Sequence, residues 1–279
     1  MKRTAVRFLI PVSLAAALGT AVAAPATATM TATPRADQRT IYMMDDITAA
    51  FEQSANSPRY ANIENDNDGC GWTAGWIGFC TATGDMLDLV KRYNADEPGN
   101  VLAKYTDTLQ QLADSGSDDT SALGSSFPDG WKQAAQDPTF VQLQLQVGHD
   151  TYLAPAQNLA AKEGITTNLG LENLFDTALM MGPGPGDCDG MVKIAGETNA
   201  ALGGNPGSGV DEAQWLSRFN AIRQQHMTNP CTPGRQNDWP QAVDRSQALQ
   251  QLADQGNWDL TAPLTVGADF NITITDPHD

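Results

Sequence analysis

Asp68 and Asp85 close the two ends of one run, Asp68-Gly69-Cys70-Gly71-Trp72-Thr73-Ala74-Gly75-Trp76-Ile77-Gly78-Phe79-Cys80-Thr81-Ala82-Thr83-Gly84-Asp85. Two carboxylates at the ends of a segment rich in glycine and aromatic residues make a compact site in which rings can stack on a ligand. The chain has 33 acidic residues and only three histidines. Any catalysis therefore falls to carboxylates, one acting as a proton donor and another as a base. Most of the 33 are solvated surface charges, so the question is which few are organised.

Other chemistries find little support. Glu64-Asn65-Asp66-Asn67-Asp68-Gly69 imitates the opening of a calcium loop, with oxygen-bearing side chains at the first, third and fifth positions and glycine at the sixth. The twelfth position, which should be a bidentate glutamate, is Gly75. Turn formation by Asn and Asp is the simpler reading. His149, His226 and His278 sit in no nucleophile motif. Gly182-Pro183-Gly184-Pro185-Gly186 lacks the Lys-Ser/Thr ending of a phosphate loop. There is no Cys-x-x-Cys or histidine cluster for zinc. Asn271-Ile272-Thr273 fits a glycosylation sequon, which matters only in a host with that machinery.

The elements that must position these residues are mostly helices. Ile41, Met44, Ile47, Ala50 and Phe51 predict a first helix over about 38–54. Met86, Leu87, Leu89, Val90 and Tyr93 form a second stripe, for which Thr83 is the expected N-cap. Pro98 suits the first turn of a third helix, whose inner face is Val101, Leu102, Tyr105, Leu109 and Leu112. A polar loop over 115–126 follows, and helical patterns continue near 129–146, 152–163, 169–181, 188–200, 211–228 and 240–255. Strands are expected within 71–80 and at 270–274. The sum is a mostly helical protein with a small sheet beside the carboxylate-rich run, and without internal repeats.

Composition adds bounds. Lys2, Arg3 and Arg7 precede an apolar stretch from Phe8 to Leu18, and small-residue cleavage sites follow at Ala21-Val22-Ala23 and Ala26-Thr27-Ala28. This reads as a secretory signal peptide over 1–23, with cleavage as late as 28 allowed. A flexible segment over 24–37 and one catalytic domain over 38–279 would follow. The net charge is −17, and cutting after Ala23 would leave −20, because that piece carries three basic and no acidic residues. Such a field repels nucleic acid and anionic membranes and attracts cations. Four cysteines in a secreted chain suggest disulfides. Cys188–Cys231 is the favoured pair. Cys70 and Cys80 form either a second bridge or leave Cys80 as a buried thiol.

A resemblance singles out particular carboxylates. Glu52-Gln53, Tyr60 followed eight residues later by Asp68, then Gly71, Thr73, Ile77-Gly78 and Asp85, resemble the signature region of the family-46 glycoside hydrolases, the chitosanases. The likeness continues in Thr83-Gly84-Asp85-Met86-Leu87, Glu97-Pro98-Gly99-Asn100, Leu102-Ala103-Lys104-Tyr105, Phe175-Asp176, Gly182-Pro183-Gly184 and Gly256-Asn257-Trp258-Asp259-Leu260. It implies a mostly helical, α+β, lysozyme-like fold of two lobes, with a small sheet and an active-site cleft between them. It also implies secreted, endo-acting hydrolysis of the β-1,4 bonds of chitosan with inversion, by a monomer without cofactor or metal, whose partners are chitosan and glucosamine oligomers.

Carried over by position, Glu52 is the general acid, Asp68 the general base, and Thr73 helps to hold the attacking water. Asp85 recognises a glucosamine unit on the substrate side. Glu64, Asp176 and Arg223 match a charged network that supports the cleft and its substrate, with Arg235 or Arg245 as a second network arginine. The residues agree with this division. Glu52 follows the apolar Phe51, where a shielded carboxyl is suited to keeping its proton, whereas Asp68 lies in a wet turn of Asn, Asp and Gly. Trp72 and Trp76 are candidates for stacking on sugars or for the core. Three positions depart from the family pattern: Cys70 stands where Arg or Asp is usual, the spacer from Gln53 to Tyr60 is shorter, and Met181 replaces an expected histidine. The alternatives are a lysozyme-like hydrolase of another glycan, or a catalytically impaired secreted protein that binds chitosan.

Overall fold

The computed structural model describes residues 36–277. The expected signal peptide and most of the segment after it lie outside the described residues. Ten α-helices and five short strands run in the order α1 (Gln38–Gln53), β1 (Ile63–Glu64), β2 (Thr73–Ala74), β3 (Phe79–Cys80), α2 (Asp85–Asp96), α3 (Thr106–Ser115), α4 (Phe127–Ala134), α5 (Pro138–Gly148), α6 (Ala154–Glu163), α7 (Asn168–Met181), α8 (Met191–Leu202), α9 (Glu212–Thr228), α10 (Val243–Asp254), β4 (Leu264–Val266) and β5 (Ile272–Ile274) among the described residues. None of these helices is long and apolar enough to cross a membrane.

Two groups of elements form. In one, α2 packs on α3, α5 and β3, and α4 packs on β1. In the other, α7 packs on α6 and α10, α9 on α8 and α10, and β4 pairs with β5. Two helices join the groups. Helix α1 contacts α7 and β5 in the second group and is bonded to the hairpin of the first through Gln53. The other join is one continuous helix running from α5 through a wide π turn, His149–Leu153, into α6. Pro155 explains the wide turn: a proline inside a helix cannot donate and its ring collides with the carbonyl four residues back. In the widened turn Ala154 N reaches His149 O, five residues away.

Buried helices carry the unusual residues. Every residue of α1 from Met43 to Gln53 is buried, Asp45, Asp46 and Glu52 included. So is every residue of α7 from Leu169 to Met181, including Glu172, Asn173, Asp176 and Thr177. A helix buried all round is a core helix, and its polar groups need partners. Asn173 and Thr177 bond back to the carbonyls of Leu169 and Asn173 at 2.8 and 2.6 Å. The carboxylates look elsewhere.

The sheet is a three-stranded antiparallel meander. Glu64 pairs with Thr73, Thr73 with Cys80, and Ala74 with Phe79. It docks on the long helix through Trp76, which is fully buried and donates from Nε1 to Gln144 O at 3.0 Å. Gly148 permits this approach, since a Cβ there would lie 2.6 Å from Trp76 Cζ2. Trp76 is therefore core, while Trp72 is half-buried against it.

Several boundaries differ from expectation. Asp37 belongs to α1 as its N-cap, accepting from Thr40 N at 2.8 Å. Helix α2 begins after Gly84, whose left-handed φ of 89° makes it the turn residue, and Thr83 bonds to Asp85 instead of capping the helix. The third helix starts at Thr106 after a short 3-10 turn, not at Pro98. The stretch expected as one helix over 129–146 is two, broken where Asp137 caps the fresh start at Pro138 by accepting from Thr139 N at 2.9 Å. A 3-10 turn over 120–123 buries Leu123 inside the stretch expected to be loop. Strands β1 and β4 are too short to leave a periodic signal.

Candidate active site

Glu52 sits in the last turn of α1, 3% exposed. The next residue fixes that helix end. Gln53 donates to the carbonyls of Arg59 and Gly75 at 3.1 and 3.0 Å and accepts from Arg59 N at 2.7 Å. One amide thus staples α1, the short connection over 54–60 and the hairpin together. Ser54, at φ 50°, turns the chain out of the helix. The shortened spacer is held at its far end as well, where Tyr60 O accepts from Trp131 Nε1 at 3.0 Å and Gln144 Nε2 at 3.3 Å.

Behind Glu52 lies a chain of buried charges. Arg245 Nη1 on α10 contacts Glu52 Oε1 directly. Arg245 Nε bonds to Asp176 Oδ1 at 2.6 Å, and Asp176 Oδ2 accepts from Arg223 Nη2 at 2.5 Å. Asp176 and Arg223 are fully buried and Arg245 nearly so. Asp176 and Arg223 present no surface to a polymer, which corrects their placement on the substrate side: they stand behind the Glu52 carboxyl, reached through Arg245. Arg245 is the second network arginine, while Arg235 pairs with Asp238 at 3.4 Å. The Arg245 guanidinium also lies 4.9 Å from the Phe51 ring centre, and Phe51 meets Phe270 edge to face at 4.9 Å. This packing fixes the guanidinium plane.

Asp68 occupies an opposite environment. It is exposed, in the loop between β1 and β2, where Asn67 and Gly69 take left-handed φ values of 55° and 91°. Cys70 N donates to Asp68 Oδ1 at 3.0 Å, an Asx turn that fixes the carboxylate direction. Cys70 is bonded to Cys80. Cys80 N in turn donates to Asp85 Oδ1 at 3.0 Å. A short path of two hydrogen bonds around one disulfide, Asp68 to Cys70 to Cys80 to Asp85, therefore ties the two ends of the run together. Gly71 allows the loop to fold close, since a Cβ there would lie 2.5 Å from Thr81 Oγ1.

Asp85 opens α2 and accepts from Thr83 Oγ1 at 2.5 Å. Its other oxygen, Oδ2, is buried without a hydrogen-bond partner. Burial pushes this carboxyl up to about 6, against the bonds from Thr83 and Cys80. Tyr152, on the wide turn of the long helix, is buried, and burial together with the nearby Asp85 and Glu52 raises its phenol. Glu52 and Asp85 therefore bear on one buried tyrosine from α1 and α2. Thr73 is buried, with its hydroxyl free of hydrogen bonds, directly across the ladder from the half-buried Glu64. Glu64 accepts from Asn62 Nδ2 at 3.4 Å.

The structure also shows residues that sequence reasoning missed. Glu172 lies one helical turn before Asp176, fully buried, with both carboxyl oxygens free of hydrogen bonds. A glutamate four residues before Asp176, on the same face of a mostly apolar helix, was the available signal. Asp45, also buried, meets His149 Nε2 at 2.7 Å. Away from the site, Cys188 and Cys231 close the second disulfide. With Asp189 they bring three potential metal-ligand atoms together, but both sulfurs are committed to the bridge.

The family model described as Glycosyl hydrolase family 46 matches residues 46–264. A chitosanase of Bacillus subtilis (strain 168) is 35% identical over 222 residues, covering 80% of this chain and 79% of that one. Among solved structures, a chitosanase of Gynuella sunshinyii in complex with chitotetraose superposes with a TM-score of 0.76 at 34% identity, covering 85% of this chain and 98% of that one. A mutant chitosanase of Bacillus subtilis MY002 complexed with six GlcN gives a TM-score of 0.78 at 32% identity, covering 86% of this chain and 99% of that one.

Proposed function

The chain belongs to glycosyl hydrolase family 46, is a glycoside hydrolase of the chitosanase kind, and from that premise we propose a secreted monomer that cuts β-1,4 bonds inside chitosan with inversion. Glu52 is the proton donor to the leaving glycosidic oxygen. Asp68 takes a proton from the water that attacks the opposite face of the sugar. Thr73 helps to hold that water, and Glu64 supports the same hairpin.

The observation that carries this reading is the contrast between the two carboxylates. Glu52 is enclosed at a helix end and clamped by Gln53 and Arg245. Asp68 faces solvent in a turn that aims it. An acid and a base for one reaction need such different surroundings. Asp85, poised between protonated and ionised forms, suits the ammonium group of glucosamine. The disulfide at Cys70 takes over the tie between the base loop and the rest of the site, where the family pattern has a charged residue. The related structures bound to chitotetraose and to six GlcN support the substrate class. Asp176, Arg223 and Arg245 act through Glu52 and hold it in place.

Glu52→Gln and Asp68→Asn are each expected to lower turnover of soluble chitosan by roughly 10²–10⁴-fold or more while keeping the melting temperature. Assays of the wild type on chitosan, chitin and peptidoglycan in parallel give the comparison. Near wild-type turnover in either variant rejects that assignment. Faster cleavage of peptidoglycan favours a lysozyme-like hydrolase, and binding of chitosan oligomers without release of reducing ends favours an impaired binding protein.

A further inference from the structure

The buried network holds more carboxyls than its cations balance. Glu52, Asp176 and Glu172 face two guanidiniums, those of Arg223 and Arg245. Arginine stays charged in proteins, and a buried charge without a counter-charge is costly. With the buried Asp45 matched by His149 at 2.7 Å and counted with it as neutral, electroneutrality puts one proton on the three carboxyls. Asp176 does not carry it, because both its oxygens accept from guanidinium nitrogens, at 2.6 and 2.5 Å. The proton belongs to Glu52 or to Glu172.

Glu172 is built to take either form. Its two oxygens are buried without hydrogen bonds. The facing cations also have free donors: Arg223 Nε and Nη1 and Arg245 Nη2 are buried without partners. In the observed arrangement Glu52 contacts Arg245, while Glu172 makes no hydrogen bond to either guanidinium. Burial pushes Glu172 well above the usual carboxylate range, Asp176 and Asp45 add to this, and Arg245 and Arg223 oppose it. The charged groups that face it are thus Asp176 on its own helix, Asp45 on α1, Arg223 on α9 and Arg245 on α10. Asp45 is engaged by His149.

We propose that Glu172 is a positioning residue for the acid, sharing one proton with Glu52 and taking up the negative charge whenever Glu52 holds that proton. This rests on the reading of Glu52 as the proton donor. It also meets a need of that reading: Glu52 contacts Arg245, and a proton donor in contact with a buried guanidinium needs the balancing anion elsewhere in the network. With Glu172 ionised, the two guanidiniums are matched by Glu172 and Asp176, and protonated Glu52 leaves no charge uncompensated. The pair titrates as a unit, not as two independent groups.

The test is the pH profile of kcat on a glucosamine hexamer for wild type and Glu172→Gln, which fixes the position as neutral at nearly the same shape. Protonated Glu52 then leaves a buried positive charge unmatched, so the acid loses its proton at lower pH. The basic limb of kcat moves toward acid, giving roughly tenfold lower kcat on that limb, with KM and the acid limb within about twofold of wild type. A profile that superimposes on wild type, or an equal loss at every pH, overturns the proposal. Glu172→Met carries the same expectation should the glutamine variant fail to fold. A readout independent of turnover is the infrared carbonyl band of a protonated carboxylic acid, expected in wild type at pH ~8, where Asp85 at about 6 is ionised. Its absence in wild type, or its persistence in Glu172→Gln, also overturns the proposal. A wild type that does not hydrolyse chitosan counts against the proposed function, while the infrared result still decides whether Glu172 holds a buried proton.

Discussion

The role proposed for Asp85, reading the charge of a ligand with a single carboxyl, makes a prediction about its proton. In the free protein one of its oxygens is buried without a partner, and burial raises the group to about 6 from an ordinary value of 3.8. The folded protein thus holds this proton more tightly than the unfolded chain does. Its contribution to stability is full below pH ~4 and is lost as pH rises through about 6. An ammonium beside it favours the ionised form. Binding of a glucosamine oligomer at pH ~5 should therefore release a proton, and affinity should tighten as pH rises through 6. Asp85→Asn should abolish the proton release and weaken binding on the order of tenfold. Calorimetry in buffers of different ionisation enthalpy measures this, and equal proton release by the two proteins would remove Asp85 from the ammonium site. Legibility at this scale was uneven. Glu52, Asp68 and Asp85 could be picked out only by a resemblance, because 33 acidic residues look alike on the page. The same resemblance points to Asp176 and Arg223, but sequence does not report burial, and these two lie fully buried behind Glu52, not beside a substrate.

At the scale of elements, the helical stripes were legible because apolar spacing survives in long segments. Helices α1, α7 and α9 fall within a residue or two of expectation. The failures have physical causes. The turn at Gly84 and the restart at Pro138 are decided by backbone geometry and one cap, which periodicity does not record. The wide turn before Pro155 depends on a collision within the helix. Another local device ties down the second group. His226 on α9 meets Asp189 Oδ1 at 2.8 Å and Glu197 Oε2 at 2.9 Å, and Asp189 also accepts from Thr232 N and Oγ1 at 2.7 and 2.6 Å, beside the Cys188–Cys231 bridge. Burial alone would lower His226, but the two carboxylates outweigh it and raise the imidazole above 6.5. This contribution is full below the unfolded value and is lost as pH rises through the folded one. His226→Gln should lower the melting temperature by ~2–4 °C at pH ~5.5 and by much less at pH ~9. Thermal scans at the two pH values check this, and an equal loss at both would assign His226 to packing alone.

On the scale of the whole molecule, two groups of helices are joined by α1 and by the long helix with the wide turn. Glu52, the proposed acid, stands on α1, Asp68, the proposed base, in the loop between β1 and β2 of the first group, and the buried network that Glu52 contacts comes from α7, α9 and α10 of the second. The small sheet beside the carboxylate-rich run was legible in outline from its glycines and aromatics. The arrangement that makes a site of it was not, because α1, α7 and α10 are brought together by packing between residues nearly two hundred positions apart. A net charge of −17 surrounds this arrangement and draws a polycationic substrate toward it. The central claim is that Glu52 and Asp68 act from opposite sides of one sugar, with room for a water between them. Proton NMR of glucosamine hexamer hydrolysis, recorded before the products mutarotate, tests it most directly. The account predicts that the first reducing ends are α-anomers; β-anomers first would mean a double displacement and contradict it.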